Sequence, residues 1–180
     1  MTDTLPADAA RQRPPATHVF ARFCAWLSKF CLVVSIVGLM ALILAVQTQV
    51  IGRYVFNDTP TWTEALALEL VLYITALAVA VGVRDAGHIG LESLVSLMPE
   101  WMRLKVEVLI HLLVALFGGI MAWAGWLWTR LKWDELDPML GLPAGLDYLA
   151  LVIAGVLIAV FSFEHILALL RGEEVVPSWH

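Results

Sequence analysis

The stretch FCLVVSIVGLMALILAVQTQVIG, residues 30–52, contains neither a charged side chain nor a proline. A helix rises 1.5 Å per residue, so about 20 such residues cross the roughly 30 Å of a bilayer's hydrocarbon. Three further stretches match it: residues 65–83, interrupted only by Glu69, residues 108–129, and residues 148–163 with more apolar chain as far as Leu170. The runs are continuous rather than alternating in segments of about ten residues, which argues against a membrane β-barrel. The expected fold class is therefore all-α, an integral membrane protein with four transmembrane helices.

Composition agrees. Of 180 residues, 61% are hydrophobic and 15% charged, with a mean hydropathy of +0.83. Soluble domains run near 45–50% apolar and about 25% charged, and a chain this short cannot hide such an excess from water. The formal net charge of -5, with no run of like charge, leaves no basic stripe for nucleic acid. Cys24 and Cys31, at the start of the first apolar stretch, offer neither a disulfide framework nor a zinc cluster.

Around the first span the chain changes character twice. Residues 1–16, with Pro6, Pro14 and Pro15 among small and polar neighbours, read as a disordered tail. From Thr17 to Ser28, Val19, Phe20, Phe23, Trp26 and Leu27 mix with Arg22 in the manner of a short helix lying at the membrane surface before span one. The apolar run is too long and too late for a cleaved signal peptide. A second short interfacial helix, cytoplasmic, is expected from His88 to Met98, ending at Pro99. The expected organisation is a tail at 1–16, one four-helix transmembrane domain at 17–172, and a second tail at 173–180.

Orientation follows from lysine and arginine. Arg11, Arg13, Arg22, Lys29, Arg84, Arg103, Lys105 and Arg171 fall on one side, against Arg53, Arg130 and Lys132 on the other. Both termini are thus expected in the cytoplasm, with Trp62, Trp128 and Trp133 at the outer interface and Trp26 and Trp101 at the inner one. Outside, Asn57 to Pro60 form a turn, and Thr61 with Glu64 has capping-box spacing at the head of span two.

Helices in lipid associate through small residues and polar pairs. Ser35, Gly38, Ala41, Ala45, Thr48 and Gly52 line one stripe of span one. Span two offers Ala65, Glu69, Tyr73, Ala76 and Ala80; span three offers His111, Ala115, Gly118, Ala122 and Gly125. Gly38, Ala41, Ala45, Ala76, Ala80, Gly118, Ala122 and Gly125 are the candidate interface with another subunit, although small residues are also common in any membrane helix. Polar groups sort into two layers. Outside, Arg53 is placed to pair with Glu64 or Glu69; a substrate or proton role and a snorkelling side chain stay open for Glu69. Inside, His111, Glu164 and His165 lie at similar depth and form a candidate cluster, with a packing role for His111 as the plain alternative.

Catalysis finds little to work with. No nucleophile with a base in reach, no Gly-rich phosphate loop, no HExxH and no paired cysteine motif occurs in the sequence. No enzyme activity, metal or cofactor is expected. One redox alternative stands, a haem held by His111 and His165. Four unbroken spans without midplane charge or internal repeats do not suit a lone transporter.

The run Arg53, Tyr54, Val55, Phe56, Asn57, then Trp62, Thr63, Glu64, then Arg84, His88 and Ile89 resembles the small permease subunit, DctQ type, of tripartite ATP-independent periplasmic (TRAP) transporters. Leu140, Gly141, Leu142, Pro143 and Tyr148 resemble the same family. The family often has two adjacent acids where this chain has Glu64 and Ala65, and a proline where it has Val152. The resemblance implies a scaffold subunit of a sodium-driven organic-acid importer in a bacterial inner membrane. It would pair with a large transmembrane subunit and a periplasmic substrate-binding protein, for substrates such as C4-dicarboxylates and sialic acid. The polar tail after Arg171 leads to the expectation that no large subunit is fused behind it. The small subunit of tripartite tricarboxylate transporters is a related alternative. On the outer surface, Asp58, Arg130, Lys132, Asp134, Glu135 and Asp137 are the candidate docking residues for the binding protein.

Overall fold

The computed structural model describes residues 15–58, 60–85 and 100–171. Within them lie four helices: α1 (Pro15–Val55), α2 (Thr61–Asp85), α3 (Glu100–Leu131) and α4 (Gly145–Arg171). All four are long and apolar enough to cross a membrane. Their outward faces carry Val37, Leu44, Leu68, Phe117, Ile120 and Trp123, each at least half exposed, a surface that suits lipid or another membrane subunit rather than water. The expected surface helix at 88–98, the tails at residues 1–14 and 172–180, and the side chains of Trp101 and Arg103 lie outside the described residues.

At its start the chain differs from the reading above. Residues 17–28 are no separate surface helix but continue unbroken into α1. Between Thr17 and Val37 there is no proline or glycine to interrupt the hydrogen-bond ladder. The apolar stretch of α1, Val19–Val55, is about 55 Å long, well beyond a perpendicular crossing, so α1 tilts or carries its N-terminal turns into the interface.

The helices form an open row rather than a closed bundle. α1 packs on α2, α2 on α4 and α4 on α3, while α1 touches α4 only briefly. Among the described residues α3 approaches neither α1 nor α2. α4 is accordingly the most enclosed helix, with 39% of its apolar window buried against 11% for α1 and α2.

Two seams of small residues hold the row together. On α1, Cys24, Cys31, Ala45 and Gly52 are buried, and with Gly38 they recur every seven residues. A strict seven-residue repeat keeps one face turned toward an antiparallel partner as the helices wind around each other. A Cβ on Gly38 would sit 2.9 Å from Ile74 Cγ1, and one on Gly52 would sit 2.8 Å from the Asp58 carbonyl. Both cysteines are free and act as small apolar residues in this seam. The second seam joins α3 to α4. Gly118 faces Gly155 and Ala159, Gly125 faces Tyr148 and Val152, and Gly145 faces the Thr129 carbonyl.

The α1–α2 and α3–α4 turns are built from the residues the sequence supplies for them. Asn57 takes a left-handed φ of 51°, and the amides of Phe56 and Asp58 both donate to the Gly52 carbonyl. Helix α2 begins at Thr61, and its start is held not by Thr61 with Glu64 but by the Thr63 hydroxyl, which donates to the Pro60 carbonyl at 2.6 Å. Between α3 and α4, Asp137 Oδ1 accepts the amides of Met139 and Leu140 at 2.7 and 2.9 Å. Gly141 closes the turn with a φ of 65°, and the Leu136–Pro143 bridge returns the chain to α4.

Candidate functional site

Where the N-terminal part of α1 meets the C-terminal ends of α2 and α4, the apolar core gives way to buried charge. Arg84, in the last turn of α2, spreads its guanidinium across two carboxylates. Nε and Nη2 donate to Glu164 at 2.9 and 3.1 Å, and Nη1 donates to Asp85 at 2.9 Å. All three side chains are 4% exposed or less. The Ser28 hydroxyl of α1 reaches Asp85 Oδ2 at 3.4 Å, and the Cys24 thiol lies beside Glu164. His165 Nε2 is 2.8 Å from the Arg84 carbonyl. A carbonyl only accepts, so Nε2 carries the proton. His111 brings in α3, its ring stacked on His165 at 4.6 Å and 4° between planes.

Every described helix therefore contributes to one polar junction. A planar, permanently charged guanidinium satisfies two acids in fixed geometry, which suits low dielectric better than an ammonium would. Such a network is weak evidence for net stability, because desolvating the ions offsets most of their attraction. Its effect is on register: α1, α2 and α4 meet with these groups in contact, or the charges are left alone in hydrocarbon.

The expected inner set of His111, Glu164 and His165 lies at this junction. Arg84 and Asp85, which hold it together, are not among the site residues expected from the sequence. The available signal was the apolar run of α2 closing on an Arg-Asp pair at the depth where α4 presents Glu164. The haem alternative loses its geometry here: two axial histidines point their ring edges at one metal, whereas these rings lie face to face and His165 Nε2 is engaged with Arg84.

At the opposite end of the row the arrangement differs from the outer polar pair expected there. Arg53 forms no ion pair with Glu64 or Glu69 among the described residues: Gly52 is the α1 residue turned toward the Asp58 carbonyl and Pro60, and Arg53, one residue on, is exposed. Glu69 lies instead beside Asp147 of α4, with one carboxylate oxygen buried and without a hydrogen-bond partner. Tyr73 donates to the Leu146 carbonyl at 2.9 Å. Glu64, Glu69, Asp137 and Asp147 share a groove of about 440 Å³ with apolar side chains of α2 and the α3–α4 loop.

Among the candidate interface residues, Gly38 packs on α2 and Gly118, Ala122 and Gly125 on α4, all within this chain. Ala45 and Ala80 are buried, Ala76 is half-buried, and Ala41 is exposed on α1. Of the candidate docking residues, Asp58, Arg130, Asp134 and Glu135 are exposed. Lys132 binds Glu135 at 2.6 Å, and that hydrogen bond moves its ammonium above the ordinary lysine range. Asp137 is engaged in its own turn.

Comparison with known proteins shows the family. The family model for the DctQ component of tripartite ATP-independent periplasmic transporters matches residues 42–172. A putative TRAP transporter small permease protein of Haemophilus influenzae is 25% identical over 146 residues, 79% of this chain and 89% of that one. The sialic acid TRAP transporter permease protein SiaT of the same species is 36% identical over 66 residues, 37% of this chain and 11% of that one. The sialic acid TRAP transporter small permease protein SiaQ of Vibrio cholerae is 31% identical over 91 residues, 50% of this chain and 53% of that one. The matched region takes in the C-terminal third of α1, all of α2 to α4 and the Arg84, Asp85, His111, Glu164 and His165 part of the polar junction, and this multi-pass chain belongs to the DctQ family, the small membrane component of TRAP transporters, a transporter subunit and not an enzyme.

Proposed function

We propose that the chain is the fixed scaffold of a TRAP-type importer that carries an organic acid with sodium across a bacterial inner membrane, with both termini in the cytoplasm. It works with a large membrane subunit that holds the substrate path and with a periplasmic binding protein that delivers substrate. The observation that carries this reading is the Arg84–Glu164–Asp85 junction: the chain's buried charges are tied to one another across helices, which suits a part that stays still. The sialic acid systems named among its relatives support the organic-acid class. With Gly38, Gly118, Ala122 and Gly125 engaged internally, the exposed side of α1 around Ala41 is the small-residue surface left for the large subunit. The decisive experiment is affinity purification of the tagged chain from its native membranes. A larger membrane protein co-eluting in equal amount is expected. A lone monodisperse chain, with sodium-dependent uptake of sialic acid and C4-dicarboxylates unchanged in its absence, overturns the proposal.

Docking of the binding protein falls to the exposed outer charges. Because Glu135 is held by Lys132 and Asp137 by its turn, Asp58 and Asp134 are the acids best placed to meet a basic partner. Exposed charges mainly set association rate. The D58K/D134K variant should slow uptake several-fold at limiting binding protein and low salt, and leave assembly intact. Uptake unchanged at both low and high salt removes these residues from the docking surface.

A further inference from the structure

The N-terminal third of α1 has a second face that the polar junction does not use. Cys24, Ser28 and Cys31 point into the protein and are buried. On the opposite side, at about 100° per residue, Arg22, Trp26 and Lys29 fall within about 60° of one another, and all three are exposed. Beside them runs an aromatic ladder: Phe23 lies 6.4 Å from Trp26, and Trp26 stacks on Phe30 at 5.7 Å and 14°. Below the ladder the same face continues through Val33 and Val37, 56% and 62% exposed. No aspartate or glutamate occurs between Asp8 and Asp58, so nothing on α1 neutralises the two cations. Asp85 and Glu164, the nearest acids of the packed helices, are buried on the far side with Arg84.

We propose that the Arg22–Trp26–Lys29 face of α1 is a binding site for the headgroup of an anionic phospholipid. Indole and phenyl rings settle at headgroup depth and hold the helix there. Arg22 then stands at the phosphate level, and Lys29, about 10 Å deeper along the axis, snorkels up its own stem to the same layer. A phosphodiester anion bridges the two cations, and its acyl chains lie on Phe30, Val33 and Val37. That apolar track favours a lipid over an acidic protein segment, which would meet the cations and leave the track empty. The site depends only on α1 lying in a bilayer, whichever substrate the transporter carries.

The test uses the full chain in nanodiscs made from equal parts phosphatidylglycerol and phosphatidylcholine, with co-released lipid counted by native mass spectrometry. Each cation near an anionic surface contributes about 1 kcal/mol, so a preference for phosphatidylglycerol of roughly tenfold or more is expected. R22Q/K29Q should bring the ratio close to one, and R22K/K29R, which keeps both charges, should retain the preference. Both variants change exposed side chains away from the α1–α2 seam, and unchanged circular dichroism verifies their fold. Equal retention of the two lipids by the unaltered chain overturns the proposal. So does a preference that survives in R22Q/K29Q or vanishes in R22K/K29R.

Discussion

Replacing Arg84 with methionine is expected to cost about 3–5 kcal/mol of stability, the largest effect of any single substitution in this chain. The methionine fills much the same space, so the loss comes from charge: Glu164 and Asp85, 4% and 1% exposed, remain in the interior without a cation. The measurement is the unfolding midpoint in mild detergent titrated with dodecyl sulfate. Neutralising the stranded acids in R84M/D85N/E164Q should recover part of the loss, because a buried uncharged amide costs far less than a buried unpaired carboxylate. R84K should fall between, keeping the charge but not the fork that reaches both acids. A cost for R84M within 0.5 kcal/mol, roughly the scatter of surface substitutions, or no recovery in the triple variant, refutes the assignment of this network as the lock between α2 and α4.

Recovery by the triple variant would also separate the two effects of the junction. Part of the stability would return while register was left to the small-residue seams alone. If transport did not recover with it, the junction would be shown to set helix position rather than to hold the fold together.

How far all this was legible from the sequence depends on the residue. Four spans were plain because lipid demands long unbroken apolar helices, and that demand is written in residues 30–52. The small residues of α1 were legible as a stripe, but their partner was not. Steps of three and four include Ala41 and Thr48, which are exposed, whereas the seven-residue series Cys24, Cys31, Gly38, Ala45, Gly52 picks out the packed side. The cysteines hid that series because they were read for their chemistry instead of their size. Arg53 and Arg84 are each a cation ending an apolar run. Only the surroundings decide which is buried: Gly52 takes the close approach to the Asp58 carbonyl and Pro60 and leaves Arg53 outside, while Glu164 of α4 receives Arg84. The order of the row, α1, α2, α4, α3, is likewise a property of pairwise fits such as Gly155 against Ala122, which no single helix displays.

That fit supplies the second large effect. At Gly155 an added Cβ would lie 2.5 Å from both the Gly118 carbonyl oxygen and the Ala122 amide nitrogen, and 3.0 Å from Ala122 Cα. All three are backbone atoms of α3, so no side chain can swing aside and the helix itself must move. Among the described residues α3 packs only on α4, so nothing else holds it in place while the seam is forced open. G155A is expected to cost about 1–3 kcal/mol, and G155L should detach α3 from α4. G119A is the matched control, one residue beyond Gly118 on α3, with nothing within 4 Å of the added methyl. It should be neutral or stabilise slightly, since alanine is favoured over glycine in a helix by about 1 kcal/mol. Cysteines introduced at Trp128 and Tyr148, whose rings stack at 5.7 Å between α3 and α4, in a chain with Cys24 and Cys31 replaced by alanine, report the distance by cross-linking with a short bifunctional thiol reagent. The cross-link should form in the parent and with G119A, weaken with G155A, and be lost with G155L. If G155L cross-links as the parent does and melts at the same temperature, the close approach of the two backbones is not what seats α3.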